Sequence, residues 1–130
     1  AHVHPKKQFL LMDMLARCCN KGMLIQMTTH SDYLLGRMNQ LLVLGKIREK
    51  SMEAFEIFCK EHQFNKNLYL HTEQIGGYYF KRENDRVVIE EQDLSLGLPF
   101  NSFENTVKSQ MELSADINDL AESLGIVSNL

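Results

Sequence analysis

Three histidines near the start of the sequence are the first residues with a spacing that could do chemistry. His2 and His4 flank Val3, and His30 follows a Thr-Thr pair. Imidazoles two residues apart on an extended segment point the same way, so His2 and His4 could share a cation with His30. No cysteine or carboxylate with a supporting spacing completes such a site. An exposed turn leading into a helix explains the same residues without a metal, and both interpretations stay open.

Other polar residues give weaker signals. Glu90, Glu91 and Asp93 cluster after an apolar run, and paired carboxylates bind magnesium in some nucleases. We interpret them instead as the solvated end of a strand. His62 and His71 are isolated in the sequence, so we assign neither of them a chemical role.

The spacing of apolar residues predicts the elements that position the histidines. Pro5 opens a helical pattern over residues 5–20, and Gly22 then suits the positive φ of a helix end. Residues 23–29 are largely apolar and predict a strand buried on both faces. These elements form a helix-to-strand unit of an α/β layer.

A second helix is predicted directly after that strand. Thr29 or Ser31 could cap it, and its apolar stripe runs to about Leu44. His30 therefore lies at a strand-to-helix junction. The charged residues 46–50 follow as the best candidate for a linker.

In the rest of the chain, the spacing of apolar residues changes twice between helical and strand-like patterns. A helix is predicted over residues 52–62, and Asn101 and Glu104 resemble a capping box before a long amphipathic helix that ends at Gly125. Between the two helices, three short β-prone runs separated by turn residues predict a small antiparallel meander: residues 68–71, 78–80 and 87–89.

Composition restricts the class of protein. The chain is 44% hydrophobic and 24% charged, a globular balance that predicts a packed core. Its net charge of -3 provides no global basic field for nucleic acid. The cysteines at 18, 19 and 59 form neither a CxxC pair nor a disulfide scaffold, and no run is long enough for a membrane span. We expect a soluble, cytoplasmic protein with reduced thiols.

Two stretches resemble ABC/SMC-like ATPases of the OLD and RecF type. Residues 1–8 read A-H-V-H-P-K-K-Q, and residues 28–31 read T-T-H-S. In that family an A-H-L-H-P-x-x-Q segment follows the Walker B acids, and a strand ending in T-T-H-S comes next. The resemblance implies an α/β fold, the C-terminal part of a P-loop ABC-type ATPase head. Residues 1–45 would belong to its core, and residues 46–130 would form a helical and β-meander extension.

The resemblance also implies roles for individual residues. His30 takes the place of the switch histidine that contacts the γ-phosphate, and Ser31 would bind the nucleotide beside it. The D-loop, which crosses a dimer interface in these ATPases, falls on Ala1, His2, Val3, His4 and Pro5. ATP and Mg²⁺ are the implied cofactors. Because the sequence has no G-x-x-x-x-G-K-[ST] phosphate loop and no Asp-Glu Walker B end, their main ligands are expected outside this chain, either upstream on the polypeptide or in a separate segment.

The implied function is a nucleotide-dependent switch or scaffold in anti-phage defence, Septu-like or retron-associated for example, or in DNA maintenance. The implied partners are the remainder of the ATPase head, further copies in a homodimer or higher homo-oligomer, an effector nuclease, and DNA or RNA. The isolated chain is expected to be inactive. The alternative is a non-enzymatic α/β protein-interaction module, in which T-T-H-S only caps a helix.

Overall fold

The computed structural model describes residues 4–95 and 108–127 of the chain. These residues form a mixed α/β structure with seven elements in chain order: α1 (Pro5–Asn20), α2 (Asp32–Lys50), α3 (Met52–His62), a 3₁₀ helix (Thr72–Gln74), β1 (Tyr78–Glu83), β2 (Arg86–Glu91) and α4 (Lys108–Ser123). The helices predicted over residues 5–20 and 52–62 are confirmed. The predicted capping box at Asn101 and Glu104 lies outside the described residues.

The centre of the fold is α2, which packs against α1, α3 and α4. Every residue from 38 to 45 is buried, as expected for a helix that is covered on all sides. The linker predicted at residues 46–50 is wrong, because α2 continues through these residues to Lys50 and Ile47 is fully buried. The expected boundary between the ATPase core (residues 1–45) and the extension (residues 46–130) lies inside this helix.

The first two helices run parallel to each other. Phe9 contacts Tyr33, and further along both helices Asp13 pairs with Arg37. Later residues of α1 therefore contact later residues of α2, as parallel helices require. The connection over residues 21–31 must therefore return along most of α1, which is about 24 Å long for its 16 residues.

That return segment is not the buried strand predicted for residues 23–29. It belongs to neither strand of the sheet formed by the described residues. Met23 is 60% exposed, Leu24 100% and Met27 41%. The prediction is wrong because a strand needs a hydrogen-bonded neighbour, and an apolar sequence does not supply one.

Residues 68–71 also depart from the predicted meander, because they pack on α2 instead of joining a sheet. Leu68 and Leu70 are buried, and the Leu70 N–H donates to the Leu41 carbonyl of α2 at 2.9 Å. Gly45 allows this approach, since a Cβ built there would lie 1.9 Å from the Leu70 carbonyl oxygen. The backbone of this segment is thus held against the central helix.

The remaining two β-prone runs form the hairpin of β1 and β2. The strands pair in an antiparallel register in which Phe80 lies opposite Ile89. Asn84 and Asp85 connect them with positive φ values of 47° and 61°, as a two-residue type I′ turn requires. Both strands are exposed along their whole length.

The last described helix, α4, closes one side of α2. Ile117 and Ala121 have no exposed surface and join the core. The chain leaves the helix at Gly125, where φ is +74°, a conformation that glycine adopts without strain. In the described part of the chain, no helix has the length and hydropathy needed to cross a membrane.

Candidate functional site

The two sequence motifs begin two neighbouring helices, and the first of these is α1. His4 is the N-cap residue, and its Nδ1 accepts the Lys6 N–H at 3.2 Å. Pro5 occupies the first helical position, where a missing N–H costs nothing. The other residues assigned to the D-loop, Ala1, His2 and Val3, lie outside the described residues, so the His2–His4 metal alternative stays a prediction.

The T-T-H-S motif begins α2. Ser31 is its N-cap residue, and Ser31 Oγ accepts the Leu34 N–H at 3.2 Å. Thr29 Oγ1 accepts the Ser31 N–H at 2.9 Å, which fixes the turn before the helix. His30 lies between these two anchors and is exposed. Its imidazole is therefore presented to solvent from a turn that is held on both sides.

A side-chain hydrogen bond joins the two motifs. Gln8, the last residue of the first motif, accepts from the Ser31 hydroxyl through Oε1. One residue further along, the Phe9 ring lies edge-on to Tyr33 with centroids 6.0 Å apart. The N-terminal ends of α1 and α2 are thus side by side. Sequence reasoning had assigned no role to Gln8, although its place at the end of H-P-x-x-Q was a usable signal.

The neighbouring N-terminal ends of α1 and α2 carry partial positive charge. The first N–H groups of a helix lack intrahelical acceptors, and the helix dipole adds partial positive charge at that end. Two such ends beside an exposed imidazole can bind an anion such as a phosphate. Two shallow grooves flank α3, and neither is lined by His30 or Ser31.

A polar network beneath this surface links three helices. Arg37 binds Asp13 through two hydrogen bonds of 2.8 and 2.9 Å, and it also donates to Gln40 Oε1 at 3.1 Å. Gln40 continues the chain of bonds to Ser114 of α4 at 2.9 Å. No local sequence pattern signals this network, because its members are polar residues on the inward faces of apolar helices.

The structure places the acidic candidates Glu90 and Glu91 at the end of β2 and Asp93 just after it. Glu90 and Glu91 are exposed on β2, opposite Tyr79 and Tyr78. Asp93 accepts the Ser95 N–H, and this hydrogen bond lowers the pKa of the Asp93 carboxyl below its usual value. The group agrees with a solvated strand end.

The two histidines that appear isolated in the sequence have partners in the fold. His62 stacks on Phe58 and lies 3.6 Å from an Asp116 oxygen. His71 Nδ1 lies 2.9 Å from Glu49 Oε1. Sequence reasoning missed the two carboxylate contacts because Asp116 and Glu49 are distant in the chain from the histidines that they contact.

All three cysteines are free thiols. Burial raises the pKa of the Cys59 and Cys19 thiols, which keeps both in the unreactive protonated form at neutral pH.

A scan against protein-family models and searches of curated proteins and of solved structures gave no match to this chain.

Proposed function

We propose that this chain is part of an ABC-type ATPase of the OLD and RecF type, in which it supplies the D-loop and the switch histidine of a nucleotide-dependent switch. The observation that carries the proposal is the hydrogen bond between Gln8 and Ser31. It joins A-H-V-H-P-x-x-Q to T-T-H-S, which are the two motifs of the resemblance. Motifs that are separate in sequence and adjacent in space are expected when both serve one site.

The chemistry at this junction supports the same proposal. His30 is exposed next to the N-terminal end of α2, where backbone N–H groups favour negative charge. An imidazole there can donate a hydrogen bond to a γ-phosphate oxygen and orient the attacking water. ATP and Mg²⁺ would be held mainly by a phosphate loop and Walker B acids from the rest of the head.

The exposed return segment also fits this function. Residues 23–29 lie between parallel helices, and Leu24 is fully exposed. Apolar side chains are costly to leave in water. In a complete ATPase head, another part of the head would cover these side chains.

The first test uses the chain alone. It should show no magnesium-dependent ATP turnover, because it lacks the phosphate loop and the Walker B acids that position the γ-phosphate and the metal. Phosphate release is the measurement. Turnover by these 130 residues that scales with protein concentration and survives repurification would contradict the proposal.

The second test uses the polypeptide that includes the upstream head. His30→Ala should lower the rate of ATP hydrolysis by roughly 10–1000-fold, as the loss of other electrostatic stabilisers does, with a smaller effect on ATP affinity. His62→Ala is the matched control, because His62 lies at the end of α3 and should leave turnover near wild type. Normal turnover by the His30 variant would remove the switch-histidine assignment.

The second candidate is a protein-interaction module, and the exposed hairpin favours it. Phe80 is 65% exposed and Ile89 is 59% exposed on one face of β1 and β2. The two candidates differ in what ATP does. If a polypeptide carrying the upstream segment binds no ATP, the module is the better assignment.

A further inference from the structure

Three metal-ligating side chains converge beside the C-terminal end of α2. Glu49 lies in the last turn of α2, His71 caps the 3₁₀ helix, and Glu73 lies within it. Their ligand atoms all lie within 4.8 Å of one another. A tetrahedral zinc ion with ligands at about 2.0–2.2 Å holds those ligands roughly 3.4 Å apart. Small side-chain rotations would therefore close the three groups around one ion.

The backbone that carries His71 is fixed on both sides. Its N–H donates to Gln74 Oε1 at 2.8 Å, and Gln74 Nε2 donates to Asn20 Oδ1 at 3.0 Å. On the other side, the Leu70 N–H is bonded to the Leu41 carbonyl of α2 at 2.9 Å. A ligand whose backbone is already ordered loses less conformational entropy when it binds an ion.

The charges of the cluster favour a cation. The Nδ1 atom of His71 can donate to one carboxylate, and Glu49 Oε1 already lies 2.9 Å from it. Glu73 brings a second carboxylate to the same place, and like charges at this distance repel each other. A divalent ion offsets both carboxylates and binds a neutral imidazole nitrogen.

We propose that Glu49, His71 and Glu73 form a binding site for a zinc-class divalent ion. A nitrogen ligand together with two carboxylate oxygens suits Zn²⁺, whereas Mg²⁺ and Ca²⁺ prefer oxygen alone. Three protein ligands leave one tetrahedral position for water. The ion fastens the end of α2 to the segment that leads into the hairpin, and the site is independent of the ATPase proposal.

The test is a titration of the metal-free chain with Zn²⁺. Calorimetry measures the binding, and thermal unfolding measures the stability at each Zn²⁺ concentration. We expect one ion per chain and a rise in the unfolding midpoint with Zn²⁺ concentration, because an ion that binds only the folded state stabilises it. Glu73→Gln changes an exposed side chain with little effect on folding, and it should weaken Zn²⁺ binding by roughly 10-fold or more. His71→Gln should weaken binding at least as much.

The matched control is His62→Gln. His62 also lies near a carboxylate, that of Asp116 at 3.6 Å, but it is not part of a three-ligand cluster among the described residues. It should bind Zn²⁺ as the wild type does. Wild-type binding by both Glu73→Gln and His71→Gln would overturn the site. Binding that is lost in Cys18→Ser or His4→Gln, and kept in His71→Gln, would overturn it too by placing the ion elsewhere.

Discussion

At the scale of single residues, Gly45 shows how closely two backbones approach. A Cβ at this position would lie 1.9 Å from the Leu70 carbonyl oxygen and 2.9 Å from its carbon. Gly45→Ala must therefore displace residues 68–71 from α2 and lengthen the hydrogen bond from the Leu70 N–H to the Leu41 carbonyl. We expect a loss of about 1–3 kcal/mol in the free energy of unfolding, even though alanine favours a helix by about 1 kcal/mol over glycine.

Urea denaturation measures this loss, and Gly76→Ala provides the control. The nearest atoms to a Cβ at Gly76 belong to the Tyr78 side chain, at 3.4 Å and beyond, so this substitution should leave the urea midpoint almost unchanged. Equal midpoints for the Gly45 and Gly76 variants would show that the contact with Leu70 does not constrain the fold.

At the scale of elements, the ion pair between α1 and α2 is the main polar contact between the two motif-bearing helices. Asp13 and Arg37 each retain 12% side-chain exposure. Arg37→Met would leave the Asp13 carboxylate without its partner in a mostly buried position. We expect the free energy of unfolding to fall by about 3 kcal/mol, the lower end of the range for broken buried pairs because some exposure remains.

A double variant separates the ion pair from general packing. Asp13→Leu combined with Arg37→Met should lose less stability than Arg37→Met alone, since no unpaired charge is left. Arg82→Met, at an exposed position on β1, is the control and should unfold at the wild-type denaturant concentration. If Arg37→Met were as harmless as Arg82→Met, the pair would not hold the two helices together.

At the scale of the whole molecule, stability should reside in the helical part, with little contributed by the hairpin. Phe55 is 1% exposed, whereas Phe80 on β1 is 65% exposed. Phe55→Ala should cost about 3–5 kcal/mol, as expected for a buried aromatic side chain. Phe80→Ser should cost no more than about 1 kcal/mol, the value of one cross-strand pair.

Circular dichroism at the helical signal during denaturation measures both variants. Phe80→Ser should in addition bind less of a hydrophobic dye, because it removes part of an exposed apolar face. A large loss of helical stability in Phe80→Ser would mean that the hairpin supports the core.

Local signals in the sequence determined several elements of this protein. Pro5 began a helix that ends where the apolar spacing predicted, and Gly22 has the positive φ of a helix end, +93°. Ser31 caps α2, and Asn84 and Asp85 form the hairpin turn. Each of these features depends on a few neighbouring residues, so the sequence alone is sufficient to predict it.

Only the tertiary structure determined which apolar runs are buried and which of the isolated polar residues have partners. The segments at 23–29 and 68–71 look alike in sequence, yet the first is exposed and the second packs on α2, because burial depends on which surface each segment meets. His71 gained its role as a candidate ligand through Glu49, from another element of the fold. Contacts between distant residues leave no local pattern, and such contacts determine both the core and the sites.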